Sequence, residues 1–127
     1  MKINDPPVLA EVEAAFARYE AALVGNDVDT LTALFWKNAL TIRYGIGENL
    51  YGSDEIAAFR TARSPVGLAR ELSRTVITTY GDDFATASTL FHRNSASGKV
   101  VRQMQSWTRL PEGWHIVAAH VSLIDES

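Results

Sequence analysis

The sequence predicts an α+β domain in which a strongly bent, mostly antiparallel sheet wraps around three N-terminal helices as a cone-shaped barrel. Helical spacing of apolar residues and helix-capping residues fill the first half of the chain. Four runs of β-branched and aromatic residues, separated by turn residues, fill the second half. A chain of 127 residues has room for one hydrophobic core, so we expect a single domain over residues 1–127.

Two helices are expected first. One begins at Asp5-Pro6-Pro7, because Asp can cap free N–H groups and Pro at the first helical position loses no hydrogen bond. Its apolar face carries Val8, Val12, Phe16, Tyr19 and Leu23. Gly25 ends it, and Asn26 or Asp27 caps a second helix that should stop near residues 36–38.

A short strand and a third helix follow. Apolar and polar residues alternate over 40–44, which predicts a strand that ends at Gly45. An extended piece over 49–51 leads to Ser53, which we expect to cap the third helix. Ser64-Pro65 ends that helix, because the residue before a proline disfavours the helical conformation.

The second half of the chain predicts an antiparallel meander. Its four runs cover roughly residues 69–80, 83–93, 99–110 and 113–123. Turn residues connect them at 81–82, 94–98 and 111–113. Such a sheet gathers the helices on one of its faces.

Composition excludes several classes of partner. Twelve Lys and Arg against fifteen Asp and Glu give a net charge of -3, so we expect no nucleic-acid partner. The absence of cysteine excludes disulfides and thiolate chemistry and fits a reducing cytoplasm. No stretch approaches the roughly 20 apolar residues of a membrane span, so we expect no membrane association.

Neither a metal nor a nucleotide cofactor is expected. The three histidines are too scattered for a metal-binding motif, and no carboxylates cluster with them along the sequence. The glycines do not form the strand-to-helix fingerprint that binds phosphates.

Several segments together resemble a known superfamily. FARYE at 16–20, GND at 25–27, LFW at 34–36, GSDEI at 52–56 and WHIVAAHVS at 114–122 resemble the SnoaL-like branch of the nuclear transport factor 2-like superfamily. More narrowly, the chain resembles the AtzH-like family over nearly its whole length. That resemblance is carried by TIRYG at 41–45, ENLYG at 48–52, GLAR at 67–70, LSRTVITTYG at 72–81 and AAHVSL at 118–123.

The resemblance implies a pocket at the open end of the cone and a role in ureide catabolism. The AtzH-like family includes a bacterial 1,3-dicarboxyurea decarboxylase of cyanuric acid breakdown. It also includes proteins named for oxalurate catabolism, which are often encoded beside an amidase and resemble this chain more closely. We therefore expect a cofactor-free carboxy-lyase that acts on a small anionic carboxylate or ureide, and a homodimer.

Three alternatives stay open. One is a hydrolase that acts on an oxalurate-like substrate, which would need an activated water. Another is a non-catalytic binding protein or accessory subunit of a neighbouring amidase in oxalurate or purine degradation. The third is a purely structural dimerisation module. Composition does not separate them, since one fold hosts many functions.

Tyr19 and Arg43 are the first candidate catalytic residues, because the resemblance places the functional Tyr and Arg of the family there. Tyr19 lies on the apolar face of its helix, so its hydroxyl needs a partner or a cavity; a satisfied core tyrosine is the alternative. The guanidinium of Arg43 presents a planar fork that matches a carboxylate, whereas a surface salt bridge is the ordinary role of such an arginine.

The last strand supplies further candidates. Regular alternation would place His120 and Ser122 on one face with Trp114 and Ile116, where both polar groups would point into a cavity. His120 would then transfer a proton or donate to a substrate oxygen, and Ser122 would bind substrate. A hydrogen-bonded core histidine is the alternative.

Four more residues are candidates for substrate binding. Arg70 and Arg74 would share a strand face and, with Arg43, attract anions. Gln105 would orient a urea carbonyl, with Trp107 beside it on the same face. For each arginine, a surface salt bridge is the alternative.

Overall fold

The structure, a computed structural model, describes residues 1–93 and 95–126. The helices are α1 (Pro6–Val24), α2 (Val28–Leu34) and α3 (Ser53–Ala62). The strands are β1 (Ile42–Tyr44), β2 (Asn49–Tyr51), β3 (Leu72–Tyr80), β4 (Phe84–Phe91), β5 (Lys99–Leu110) and β6 (Gly113–Asp125). Asn94, part of one predicted turn, lies outside the described residues.

One six-stranded sheet carries the fold, in the order β2-β1-β6-β5-β4-β3. Neighbouring strands are antiparallel except for β1 and β6, which run parallel. The sheet is open, with β2 and β3 as its edges, and the helices pack on one face. The predicted α+β class is confirmed, although the barrel does not close.

The core lies between α1 and the inner face of the sheet. The predicted apolar face of α1 is buried throughout. Phe16 and Tyr19 pack with Leu31 of α2 and with Trp107 and Ile116 of the sheet. This packing fixes α1 across the sheet and brings Tyr19 to the end of the core.

Two helix boundaries differ from the prediction. The second helix ends at Leu34 because Phe35 becomes extended and forms a bridge with Ile116 of β6. Gly52, and not Ser53, occupies the N-cap of α3, with a left-handed φ of 88° that suits glycine. Asp27 caps α2 as expected, since its carboxylate accepts the backbone N–H of Thr30 at 3.2 Å.

A β-bulge at Val117 changes which side chains of β6 face the helices. Trp107 of β5 pairs with Ile116, but the preceding Ser106 pairs with Ala118, so Val117 is an extra residue. Beyond the bulge, the side chains of β6 that regular alternation would turn inward therefore face outward, and the others face inward. Ala119 packs on the core, Val121 is buried and His120 is exposed. The predicted grouping of His120 and Ser122 with Trp114 and Ile116 is wrong for this reason.

A second bulge lies in β3. Ser73 pairs with Leu90 and Val76 with Ser88, which leaves one extra residue on β3. Arg74, at this bulge, has a left-handed φ of 52°. Arg70 precedes the strand, so the expected shared strand face of Arg70 and Arg74 is absent among the residues that the structure describes.

Candidate functional site

A cavity of about 540 Å³ opens at the end of the sheet, beside α1. It is lined by side chains from α1, β1, the segment that follows α3, and the ends of β4, β5 and β6. Its polar lining includes Tyr19, Arg43, Arg63, Arg70, Arg93 and Gln103. Its volume lies within the ordinary range for sites that bind small molecules.

Tyr19 is a buried polar residue of this wall. Its side chain is buried, and its ring lies edge-on to Phe35 with centroids 6.4 Å apart. The Nη2 group of Arg60 donates a hydrogen bond to the Tyr19 hydroxyl at 2.9 Å. Arg60 comes from the last turn of α3 and is 1% exposed. The phenol of Tyr19 is therefore held by a buried arginine that does not itself line the cavity.

The phenol of Tyr19 lies in a strongly positive environment. Burial alone would raise the pKa of Tyr19, but the charges of Arg60, Arg43 and Arg70 together outweigh burial. The pKa of Tyr19 consequently lies below its ordinary value of 10.0. A phenol in this setting gives up its proton more readily than one in water.

Arg43 faces the cavity because of its register in the sheet. It pairs with Ala119 of β6 and Leu50 of β2, and its side chain points to the helix-covered face. Its guanidinium lies 5.2 Å from the centre of the Phe59 ring. Nη1 of Arg43 donates to Oε1 of Glu48 at 2.9 Å. Burial, and after it the charge of Arg60, lower the pKa of Arg43.

Arg70 is already paired with a carboxylate. Its Nε donates to Oε2 of Glu20 at 3.1 Å, and its Nη2 donates to the other oxygen of the same carboxylate. Nη2 also lies 3.2 Å from Oε1 of Gln103, and the guanidinium stacks 4.0 Å from the centre of the Phe91 ring. Arg70 is therefore a rigid, compensated part of the wall.

Two arginines of this region have buried donors that find no acceptor among residues 1–93 and 95–126. In Arg63, which lines the cavity, these are Nε and Nη2; in Arg60 they are Nε and Nη1. Burial, and then the nearby Arg60, lower the pKa of Arg63 to about 10. The amide nitrogen of Gln103 is also buried and has no acceptor among these described residues. Unpaired buried donors are costly, and a carboxylate or another small anion is the kind of group that would accept hydrogen bonds from them.

The charge balance of the region is positive. Five guanidiniums contribute, those of Arg43, Arg60, Arg63, Arg70 and Arg93. Glu48 and Glu20 pair with Arg43 and Arg70. A small anion would supply the counter-charge that the remaining guanidiniums lack.

Comparison with known families decides where the chain belongs. A profile of the AtzH-like family matches residues 1–127. The chain belongs to the AtzH-like family. The resemblance found in the sequence is confirmed.

Solved structures of similar and of more distantly related proteins share this fold. The chain is 60% identical to a protein of unknown function from the DUF3225 family of Pectobacterium atrosepticum, with a TM-score of 0.94, over 97% of this chain and 95% of that one. It is 50% identical to a cystatin-like fold protein from Burkholderia xenovorans, with a TM-score of 0.95, over 100% and 99% of the two chains. A nuclear transport factor 2-like protein of unknown function from Pseudomonas putida, 15% identical, has the same fold at a TM-score of 0.74, over 91% and 86%. Comparison with curated proteins gives no significant match.

Three of the predicted site residues meet in this AtzH-like cavity. Tyr19, Arg43 and Arg70 all line it. Gln105 and Trp107 are instead buried in the core, where Nε1 of Trp107 donates to Oε1 of Gln105 at 3.1 Å. This bond uses the amide oxygen of Gln105 inside the protein, away from the cavity.

The other predicted residues lie on the opposite face of the sheet. Arg74, His120 and Ser122 line a shallow groove of about 490 Å³ there, together with Met104. The bulges at Val117 and in β3 explain this placement, because each shifts the alternation of its strand by one residue. His120 and Ser122 therefore line this outer groove and lie away from the cavity that contains Tyr19.

Sequence reasoning missed Arg60, Arg63 and Glu48. A signal for Arg60 was present, since it follows the buried Ile56 by four residues and so lies on the same face of α3. An arginine on the buried face of a helix indicates a partner or a site. Glu48 has no comparable signal, because its position depends on the turn between β1 and β2.

In the part of the chain that the structure describes, no three histidine, aspartate or glutamate side chains lie close enough together to hold a metal ion. Among the same residues, no helix is both long enough and apolar enough to cross a membrane.

Proposed function

We propose that this AtzH-like protein is a cofactor-free decarboxylase of a small N-carboxylated urea, such as 1,3-dicarboxyurea. The observation that carries the proposal is the surroundings of Tyr19. Its phenol lies in a cavity wall beside guanidiniums whose donors are only partly used within residues 1–93 and 95–126. Anion binding and proton donation are thus available in one place.

The free donors of Arg63 and Gln103 support an anionic substrate. A buried guanidinium without a counter-ion is unfavourable, and a carboxylate that pairs with it relieves this penalty. Charge-assisted hydrogen bonds between guanidinium and carboxylate are also stronger than neutral ones. A cavity of about 540 Å³ accommodates a ureide with room for solvent.

Arg43 is suited to hold the carboxylate that stays on the substrate. Its guanidinium is fixed by a hydrogen bond to Glu48 and by its position over the ring of Phe59. A tight grip on the carboxylate that leaves would stabilise the ground state and would not accelerate its loss. Arg43 therefore acts through orientation.

Tyr19 is suited to supply the proton. When CO2 departs, the C–N bond breaks and its electron pair stays on the nitrogen of the urea. Proton transfer from the Tyr19 hydroxyl to that nitrogen completes the step, and the phenolate then regains a proton from water. The lowered pKa of Tyr19 favours this transfer.

Hydrolysis of oxalurate receives no comparable support. It needs an activated water, and His120, the base considered for it, lies on the opposite face of the sheet. A binding protein or an amidase subunit would use the same free donors without converting the substrate.

The homodimer stays a prediction, supported by Val76 and Met104, which are 57% and 49% exposed on the outer face of the sheet.

CO2 release from 1,3-dicarboxyurea, generated in situ, tests the proposal. We expect the purified protein to accelerate release well beyond spontaneous decay and to leave oxalurate intact. Release at the spontaneous rate would overturn the proposal. In that case, saturable carboxylate binding by calorimetry would indicate a binding protein, and oxalate formation from oxalurate would indicate a hydrolase.

A further inference from the structure

We propose that Arg60 is a positioning residue that turns the phenol proton of Tyr19 into the cavity. The inference rests on the proposed role of Tyr19 as proton donor. It concerns a residue that does not line the cavity itself, and it follows from the direction of one buried hydrogen bond.

That hydrogen bond has only one possible direction. A guanidinium carries five N–H donors and no acceptor, and it stays protonated in proteins. Nη2 of Arg60 must therefore donate, and the oxygen of Tyr19, 2.9 Å away, must accept. The hydroxyl proton of Tyr19 consequently points away from Arg60.

The hydroxyl proton of Tyr19 is available to a group in the cavity. Within residues 1–93 and 95–126, the Tyr19 hydroxyl makes no hydrogen bond other than the one from Arg60. The ring cannot turn freely, because it is buried in the core and lies edge-on to Phe35. Tyr19 also lines the cavity, so the proton is left for a ligand there.

Arg60 acts on Tyr19 with an uncompensated charge. Glu48 pairs with Arg43 and Glu20 with Arg70, whereas Arg60 has no carboxylate within 4.0 Å among the described residues. Its guanidinium is held over the ring of Phe35, 5.9 Å from the centre. Of the charges that lower the pKa of Tyr19, that of Arg60 is the strongest.

The test compares wild-type protein with Arg60→Met, Arg60→Lys and the control Arg18→Met, which removes an exposed arginine of α1. The ionisation of Tyr19 is followed by the ¹³Cζ resonance of labelled tyrosine. The signal is assigned by its loss in Tyr19→Phe, since the chain has four tyrosines. CO2 release is measured on the same samples.

In Arg60→Met we expect Tyr19 to ionise about 1 to 3 pH units higher than in the wild type. We also expect kcat to fall about 100-fold with little change in KM, because the hydroxyl proton of Tyr19 is no longer oriented toward the cavity. Arg60→Lys, which keeps a charge and a donor, should recover part of both, and Arg18→Met should match the wild type.

A Tyr19 midpoint that does not move in folded Arg60→Met would overturn the inference. If Arg60→Met does not fold, the wild type decides alone, since a Tyr19 midpoint at or above the ordinary value of 10.0 overturns it. The expected midpoints without CO2 release would uphold the Arg60–Tyr19 arrangement and overturn the proposed decarboxylation instead.

Discussion

Arg43 and Glu48 form an ion pair on the wall of the cavity, with Nη1 of Arg43 2.9 Å from Oε1 of Glu48. The glycine at position 45 makes room for this pair. A Cβ built on Gly45 would lie 1.7 Å from Oε1 of Glu48 and 2.8 Å from Nη1 of Arg43. Glu48 is 26% exposed at its side chain and Arg43 only 6%, so the carboxylate is the chief counter-ion of a buried charge.

Gly45→Ala should separate this ion pair. Both clashing atoms belong to side chains, so the backbone can stay while Glu48 moves away from Arg43. We expect a loss of about 1–3 kcal/mol in the free energy of unfolding, measured with urea, because a buried guanidinium loses its partner. CO2 release should fall as well, since Arg43 is no longer fixed.

Gly47→Ala is the matched control, because a Cβ at Gly47 meets nothing within 4 Å. Its free energy of unfolding should change by no more than about 0.5 kcal/mol. Equal effects of the two substitutions would contradict the assigned role of Glu48.

The activity of the protein should decline at high pH. If Tyr19 donates its proton, turnover is lost as the pH rises through the pKa of Tyr19, which lies below 10.0. The charge of Glu20 raises the pKa of Tyr19, so Glu20→Gln should move the decline to lower pH. The measurement is a pH profile of CO2 release between pH 6 and 11.

Glu13→Gln, at an exposed position of α1, provides the control for that profile. Its decline should coincide with that of the wild type. A shift of the Glu20→Gln profile to higher pH would contradict the electrostatic account of Tyr19.

His120→Ala should leave CO2 release unchanged. His120 is exposed on the face of the sheet opposite the cavity, where its ring lies edge-on to Tyr44 with centroids 6.1 Å apart. A large loss of turnover in a variant that stays folded would show that the outer groove takes part in the chemistry. Steady-state rates measure the turnover of the variant, and thermal unfolding shows whether it stays folded.

Most of the architecture was open to prediction because it depends on local patterns. The apolar face of α1 and the turns of the meander are set by neighbours in sequence. Those patterns place Tyr19 inside the protein. The face of the sheet toward which Arg43 points depends on its pairing with Ala119, which is distant in sequence. The sequence alone therefore did not determine this face.

The remainder of the site depends on features that local patterns do not encode. The bulge at Val117 arises where β6 pairs with β5, and because of it the side chain of His120 lies on the outer face of the sheet. Arg60 and Tyr19 are 41 residues apart, so their hydrogen bond exists only once α3 has packed against α2 and β1. A strict period of two or 3.6 cannot report either feature.

The rate of CO2 release from 1,3-dicarboxyurea by Tyr19→Phe tests the central claim most directly. Tyr80→Phe is the control, because its hydroxyl lies near Thr86 and outside the cavity. We predict that Tyr19→Phe lowers kcat by about 10²- to 10⁴-fold while carboxylate binding persists, and that Tyr80→Phe matches the wild type. Equal rates for Tyr19→Phe and the wild type would contradict the account.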